Sequence, residues 1–254
     1  MSQPYRLVTM GPSHFCEKAR WALSRAGVPY QEERHVPLYH APASYRAGGR
    51  RTVPVLVTDS GTIADSTGIL ELADRHSGGR IYGEGGNVRR LSRELEEKLD
   101  ARFGPDTRRF VYFHILDDKQ QVTQAFGHGA PLSERAAFSV TYPLIKRLMK
   151  RSMRITAEAS KRSHTRMNDT FSEMGELLSD GRRYLTGDQL TAADITFAAL
   201  AAPVLLPHGY GAPLPSIDEV PEQLAAEVRR YRETPAGKFA MRLFREERNK
   251  QLTF

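Results

Sequence analysis

The stretch that most constrains the fold runs from Thr52 to Ser66 and reads as strand, turn, strand and helix start. Val55-Leu56-Val57 is a short apolar run, Asp59-Ser60-Gly61 is a turn cluster, and Thr62-Ile63-Ala64 is a second brief run. Asp65-Ser66 stands where a capping residue belongs, ahead of a helix that begins near Thr67. Pro54 has no N–H to give a ladder, so it belongs at a strand start or edge. Val53-Pro54 is also a candidate cis peptide, which would turn the Val53 backbone outward with its N–H and C=O free to pair elsewhere. Such a backbone, beside a helix N-terminus bearing an acidic and a hydroxyl group, suits a peptide-like ligand with a charged amine and a carboxylate.

The residues before this stretch supply the rest of an α/β unit. Arg6 to Met10 predicts a first strand, closed by Gly11-Pro12, and Ser13 can cap a helix to about Arg25, with Phe15, Ala19, Ala22, Leu23 and Ala26 at helical spacing. Tyr30 to Val36 predicts a second strand, which should pair in parallel with the first through a right-handed crossover. His40 to Gly49 reads as an irregular or short helical connection, and a helix from about Ser66 to His76 closes the unit. The predicted order is β-α-β-α-β-β-α.

After the glycine-rich segment from Gly78 to Gly86 the pattern contains no convincing strand. Leu91, Leu95, Leu99 and Phe103 fall on one helical face that continues through Phe110 to Ile115. Further helices are expected at 133–152, 155–179, 221–233 and 235–249, with a loop from Gly127 to Pro131. Thr191 and Asp194 have capping-box spacing, Leu190 and Ile195 sit where a hydrophobic staple would close, and the helix that follows is apolar almost all round. Pro203 should kink that helix or end it early. The expected division is therefore residues 1–79, α/β, and residues 87–254, all-α.

Composition narrows the function classes. At 254 residues, 40% hydrophobic and 26% charged, the chain is ordinary globular material. No apolar run approaches the roughly 20 residues of a membrane span, and Met1-Ser2-Gln3-Pro4 has no signal-peptide character. The expected location is the cytoplasm. A single cysteine, Cys16, excludes an internal disulfide and a cysteine-based zinc site. The net charge of +7 has a concentration between Lys146 and Arg166, read as a solvated helical face. No nucleic-acid-binding motif accompanies it.

Four motifs, in order and at matching spacing, carry a resemblance to the cytosolic glutathione transferases that spans nearly the whole chain. Ser13-His14-Phe15-Cys16-Glu17-Lys18-Ala19-Arg20 resembles the active-site turn and first helix of serine- and cysteine-type members. Val53-Pro54 resembles the cis-proline element, Asp65-Ser66 the acidic-Ser pair at the third helix, and Gly187-Asp188 with Thr191 to Asp194 the capping box of the helical domain. The region from about 105 to 165 is longer than usual for the family. The resemblance implies a thioredoxin-like N-terminal domain, a helical C-terminal domain, a homodimer, and glutathione as a substrate, with no metal and no resident cofactor.

It also implies roles for particular residues. Ser13 would be the catalytic group. A free thiol near pKa 8.5 is only a few per cent thiolate at neutral pH, and a hydroxyl at a helix N-terminus can donate to the sulfur and favour its ionised form. Lowering that pKa by about two units corresponds to roughly 2.7 kcal/mol. From local sequence alone Ser13 is an N-cap, and both roles fit one oxygen. Val53 would pair its backbone with the cysteinyl part of glutathione. Asp65 would take the γ-glutamyl amine, and Ser66 the carboxylate. Cys16 offers a rival nucleophile, although with Ser13 in the first position no dithiol cycle exists within one chain, and a small buried packing residue is the plainer reading. His40, Arg50 and Arg51 are candidates for the glycine carboxylate, because the family's usual lysine or glutamine is absent at Thr52. Phe110, Tyr112, Phe113 and His114 are candidates to line the electrophile site, but aromatics on a long helix are more often core, so none is assigned. Asp194 is a folding residue. The expected activity is conjugation of glutathione to a small electrophile; an isomerase or dehalogenase on the same scaffold, or a non-catalytic interaction protein, are the alternatives.

Overall fold

The computed structural model of the chain describes residues 3–252. Met1 and Ser2, part of the predicted lead-in to the first strand, lie outside them. The first half of the story is a four-stranded sheet in the order β2-β1-β3-β4. β1 (Tyr5–Thr9) is followed by α1 (His14–Arg25), β2 (Tyr30–Arg34), α2 (His40–Arg46), β3 (Val55–Thr58), β4 (Gly61–Ile63) and α3 (Ser66–His76). β1 and β2 run parallel with Tyr5 opposite Tyr30, while β3 is antiparallel to both β1 and β4. This is the thioredoxin-like arrangement, with the order of elements that the alternation of apolar runs and turn residues predicts.

Leu7 and Leu56 from the sheet pack on Ala19, Ala22 and Leu23 of α1 and on Ile69, Leu70 and Ala73 of α3. Because helices cover the sheet, the consecutive pairs Leu7-Val8 of β1 and Val55-Leu56 of β3 are both buried rather than alternating with exposed residues. The sheet needs α1 on one side; α1 in turn buries its other side against helices further along the chain. Trp21, fully buried, packs on Phe244 with ring centroids 5.0 Å apart and planes tilted by 54°.

The segment 77–85 is glycine-rich yet firmly held. Ile81 and Tyr82 are fully buried, the Ala192 N–H donates to the Ile81 carbonyl at 2.6 Å, and the Tyr82 hydroxyl donates to Glu96 at 2.6 Å. Beyond it, among the described residues, only helices and short turns follow. These are α4 (Gly86–Lys98), a π-helical turn (Leu99–Phe103), α5 (Gly104–Ile115), α6 (Lys119–Gly127), α7 (Leu132–Ser152), α8 (Ala157–Leu177), α9 (Ala192–Leu205), α10 (Glu222–Glu233) and α11 (Pro235–Glu246).

α9 is the axis of the helical part. Nearly all of its residues are buried, and Phe197 stacks on Phe103 at 5.6 Å while meeting Phe171 edge-on. The predicted capping box is closed: Asp194 accepts from the Thr191 N–H at 2.7 Å and also from the Leu185 N–H at 2.8 Å. Pro203 does not end the helix early. It sits in the last turn, and α9 continues to Leu205 before Leu206 turns left-handed. Within α5 the carboxylate of Asp106 is shared by Arg109, Ser163 and Arg166.

The middle segment builds a core of its own. Leu116, Val122, Phe126, Phe138, Tyr142, Ile145 and Met149 cluster together with Val36 from the loop after β2. α6 in this segment has no counterpart in the sequence reading. Its Asp118 cap accepts from the Gln121 N–H, but its polar composition hides it.

Candidate functional site

The site is built where β1 ends. Gly11-Pro12 turns the chain and Ser13 caps α1, its Oγ accepting the Cys16 N–H at a long 3.4 Å. The cap uses a lone pair of the oxygen, so the hydroxyl proton is left to donate outward. Ser13 is half-buried.

His14, the first residue of α1, also lines the cleft that Ser13 faces. It is buried, and its Nε2 donates to the Gly104 carbonyl at 3.0 Å. Burial, reinforced by the nearby Arg108 guanidinium, pulls its pKa down to about 3, so the ring is neutral through the working range. Gly104, the first residue after the π-helical turn, is small by necessity: a Cβ there would stand 2.6 Å from the Phe15 ring and 3.2 Å from Leu200. The turn thus lets α5 come close beneath the start of α1.

Cys16 is fully buried on the inner side of α1. Burial pushes its thiol above the usual value, although Arg20 and Ser13 act in the opposite sense. A sulfur in that setting is a packing group and a poor nucleophile.

Val53 precedes β3, whose pairing with β1 begins only at Val55, and the Val53-Pro54 peptide is cis. Val53 is half-buried and Pro54 buried. Asp65 caps α3, accepting the Gly68 N–H at 2.7 Å, and stays exposed, whereas Ser66 is buried. Beneath this helix start lies a buried charge cluster. The Lys18 ammonium meets Glu96 at 2.7 Å and Asp100 at 2.5 Å, and the Thr67 hydroxyl donates to the same Glu96 at 2.9 Å.

One cleft of about 270 Å³ joins several of these residues. Ser13, His40, Arg51 and Val53 line it from the α/β side, with Leu38, which holds a left-handed φ of 75°. Arg108 and Tyr112 of α5 line it from the helical side, and Phe126, Ile145, Leu148 and Met149 of α6 and α7 form its apolar wall. Asp65 and Ser66 follow β4, at the edge of the same sheet, outside the cleft lining. Cys16 and Arg50 are outside it as well. A larger, open groove of about 710 Å³ along residues 206–219 contains none of the sequence-predicted residues, so size does not decide the matter.

His40 is held toward the neutral form mainly by burial, and its Nδ1 has no partner among the described residues. Arg51, exposed at the rim, is therefore the stronger cation of the two. Of the four aromatic candidates Tyr112 alone lines the cleft; Phe110 is core, and its ring meets His114 edge-on at 4.8 Å. Sequence reasoning missed Arg108. Helical spacing puts residues 108, 111, 112 and 115 on one face of α5, but only the structure shows that all four line the small apolar pocket that adjoins the cleft.

Comparison with known proteins agrees with this fold. Residues 7–80 match the model of the glutathione S-transferase N-terminal domain family. No curated protein matches the chain. Among solved structures, the chain is similar to a glutathione transferase from Phanerochaete chrysosporium at 18% identity, TM-score 0.61, covering all of both chains. It is similar to a glutathione S-transferase from Rhodospirillum rubrum at 22% identity and TM-score 0.56, covering 96% of this chain and 92% of that one. A glutathione S-transferase from Methylobacterium radiotolerans, solved in complex with glutathione sulfonate, matches at 18% identity and TM-score 0.53 over 94% and 95% of the two chains. The chain thus carries a glutathione S-transferase N-terminal domain in residues 7–80 and has the glutathione S-transferase fold along its length.

Proposed function

We propose that the protein is a glutathione transferase that conjugates the glutathione thiolate to a small electrophile. The observation that carries the reading is the cleft in which a half-buried Ser13, its hydroxyl proton uncommitted at the N-terminus of α1, faces Val53 on one side and an apolar helical wall on the other. The Ser13 hydroxyl donates to the sulfur, and the α1 dipole adds to the preference for the ionised form. Val53, ahead of the β3 ladder, pairs with the cysteinyl backbone, and Pro54 fixes its approach. Asp65 takes the γ-glutamyl amine, and Ser66 with the N-terminus of α3 takes the adjacent carboxylate. Arg51 holds the glycine carboxylate, with His40 as a neutral hydrogen-bonding partner. Catalysis then comes from a raised thiolate fraction held next to the electrophile.

On this reading glutathione is a consumed substrate, residues 1–79 bind it, and residues 87–254 supply the electrophile side. A homodimer in the cytoplasm is part of the same proposal, as is a role in detoxification. The solved relative that holds glutathione sulfonate supports the choice of ligand. Calorimetric titration with glutathione, followed by a conjugation assay of wild type and Ser13→Ala, tests it. Micromolar-to-millimolar binding with conjugation lost in Ser13→Ala is the expected result. Binding heat absent at two temperatures would instead leave a scaffold without turnover.

A further inference from the structure

The lining of the cleft is charged in one sense only. None of the residues around it, or around the small apolar pocket that shares His14, Arg108, Tyr112 and Phe126 with it, is an aspartate or glutamate. Arg108 is the cation on the helical side, and it has no hydrogen-bond or ion-pair partner among the described residues, unlike its neighbour Arg109, which bonds Asp106, Ser163 and the Met153 carbonyl. Asp106, the acidic residue of α5, is committed to Arg109 and Arg166. Desolvation, with a smaller push from Arg109 and against Tyr112, pulls the Arg108 guanidinium below its usual value, a cost that no carboxylate among the described residues offsets. His14 beside it is neutral and so adds no second positive charge.

We propose that Arg108 is the recognition point for an anionic second substrate, an electrophile that carries a carboxylate on an apolar body. The inference rests on the transferase reading above. The planar Arg108 guanidinium, beside the apolar wall of the cleft, matches one carboxylate bidentately. A phosphate dianion would need further donors that this wall, Phe126, Ile145, Leu148 and Met149, does not have. Arg51 is on the opposite, α/β side, where glutathione is placed, so the two cations divide the two substrates between them.

The test uses two electrophiles of one shape, 4-chloro-3-nitrobenzoate and 4-chloro-3-nitrobenzamide. In both, the sulfur bonds to the ring carbon that bears chlorine, chloride leaves with the bonding pair, and the thiol proton passes to solvent. The benzoate-to-benzamide ratio of kcat/KM in wild type should fall roughly ten- to a hundredfold in Arg108→Met, with part of it retained in Arg108→Lys. Circular dichroism and the thermal midpoint report whether each variant is folded. Equal loss for both electrophiles, no anion preference in wild type, or a loss confined to glutathione affinity would each overturn the assignment. Calorimetric titration with the benzoate alone separates the two readings. Arg108-dependent binding without any conjugation would sink the transferase reading and keep this one, and conjugation of both electrophiles without preference would do the reverse.

Discussion

Lys18→Met should cost the fold about 3–5 kcal/mol, because it leaves two acidic groups facing each other without their cation. Lys18 has no exposed side-chain surface, and its partners Glu96 and Asp100 expose 3% and 21% of theirs. Glu96 keeps the Tyr82 and Thr67 hydroxyls as donors, and Asp100, whose pKa is already raised by burial, can take up a proton. Both effects hold the loss toward the lower end, about 3 kcal/mol, or roughly 6–12 °C in Tm for a chain of this size. Urea unfolding followed by fluorescence is direct here, since Trp21 is the only tryptophan and is fully buried. The double variant Lys18→Met/Glu96→Gln should recover part of the loss by removing one unpaired charge. A loss below about 1 kcal/mol, or no recovery in the double variant, would refute the view that this cluster pins α1 and α3 to α4.

Further outcomes follow from other elements. Asp194→Ala removes the acceptor of the Leu185 and Thr191 N–H groups and the Thr191 hydroxyl; with buried donors orphaned, urea unfolding should show about 3 kcal/mol lost. His14 has a folded pKa near 3, below the unfolded value of about 6.5. Its contribution to stability is therefore complete above about 6.5 and is lost as pH falls toward 3. His14→Gln should flatten that limb, so that between pH ~7 and ~4.5 wild type loses about 2–3 kcal/mol more than the variant. Cys16, fully buried, should react with a thiol reagent only in denaturant, and rapid labelling of the native protein would show that the site is open to solvent.

Much of the fold was legible in the sequence because its local signals agree with one another. Gly11-Pro12-Ser13, the Val53-to-Ser66 stretch and the Thr191–Asp194 box are short-range patterns whose meaning does not depend on distant partners. The departures have tertiary causes. Pro203 is tolerated because it lies in the last turn of α9: the N–H it lacks costs one bond to the preceding turn, and only two helical residues follow it. The π-helical turn at Leu99–Phe103 leaves no mark in an apolar periodicity that runs straight through it. α6 is polar enough to read as loop, and its apolar anchors are the buried Val122 and Phe126. At the site, the α/β residues were visible as motifs, while Arg108 became visible only when α5, α6 and α7 closed a wall around it. A charge on a helix is ordinary; a charge in a cleft without carboxylates is not, and sequence does not show the cleft.

The central claim is that Ser13 stabilises the glutathione thiolate, and the direct measurement is the thiol pKa of bound glutathione in wild type and Ser13→Ala, followed by thiolate ultraviolet absorption across pH. The account predicts that the bound thiol ionises about two units below its free value near 8.5 in wild type and returns most of the way in the variant. Glutathione that binds both proteins with the same, unshifted pKa would contradict it.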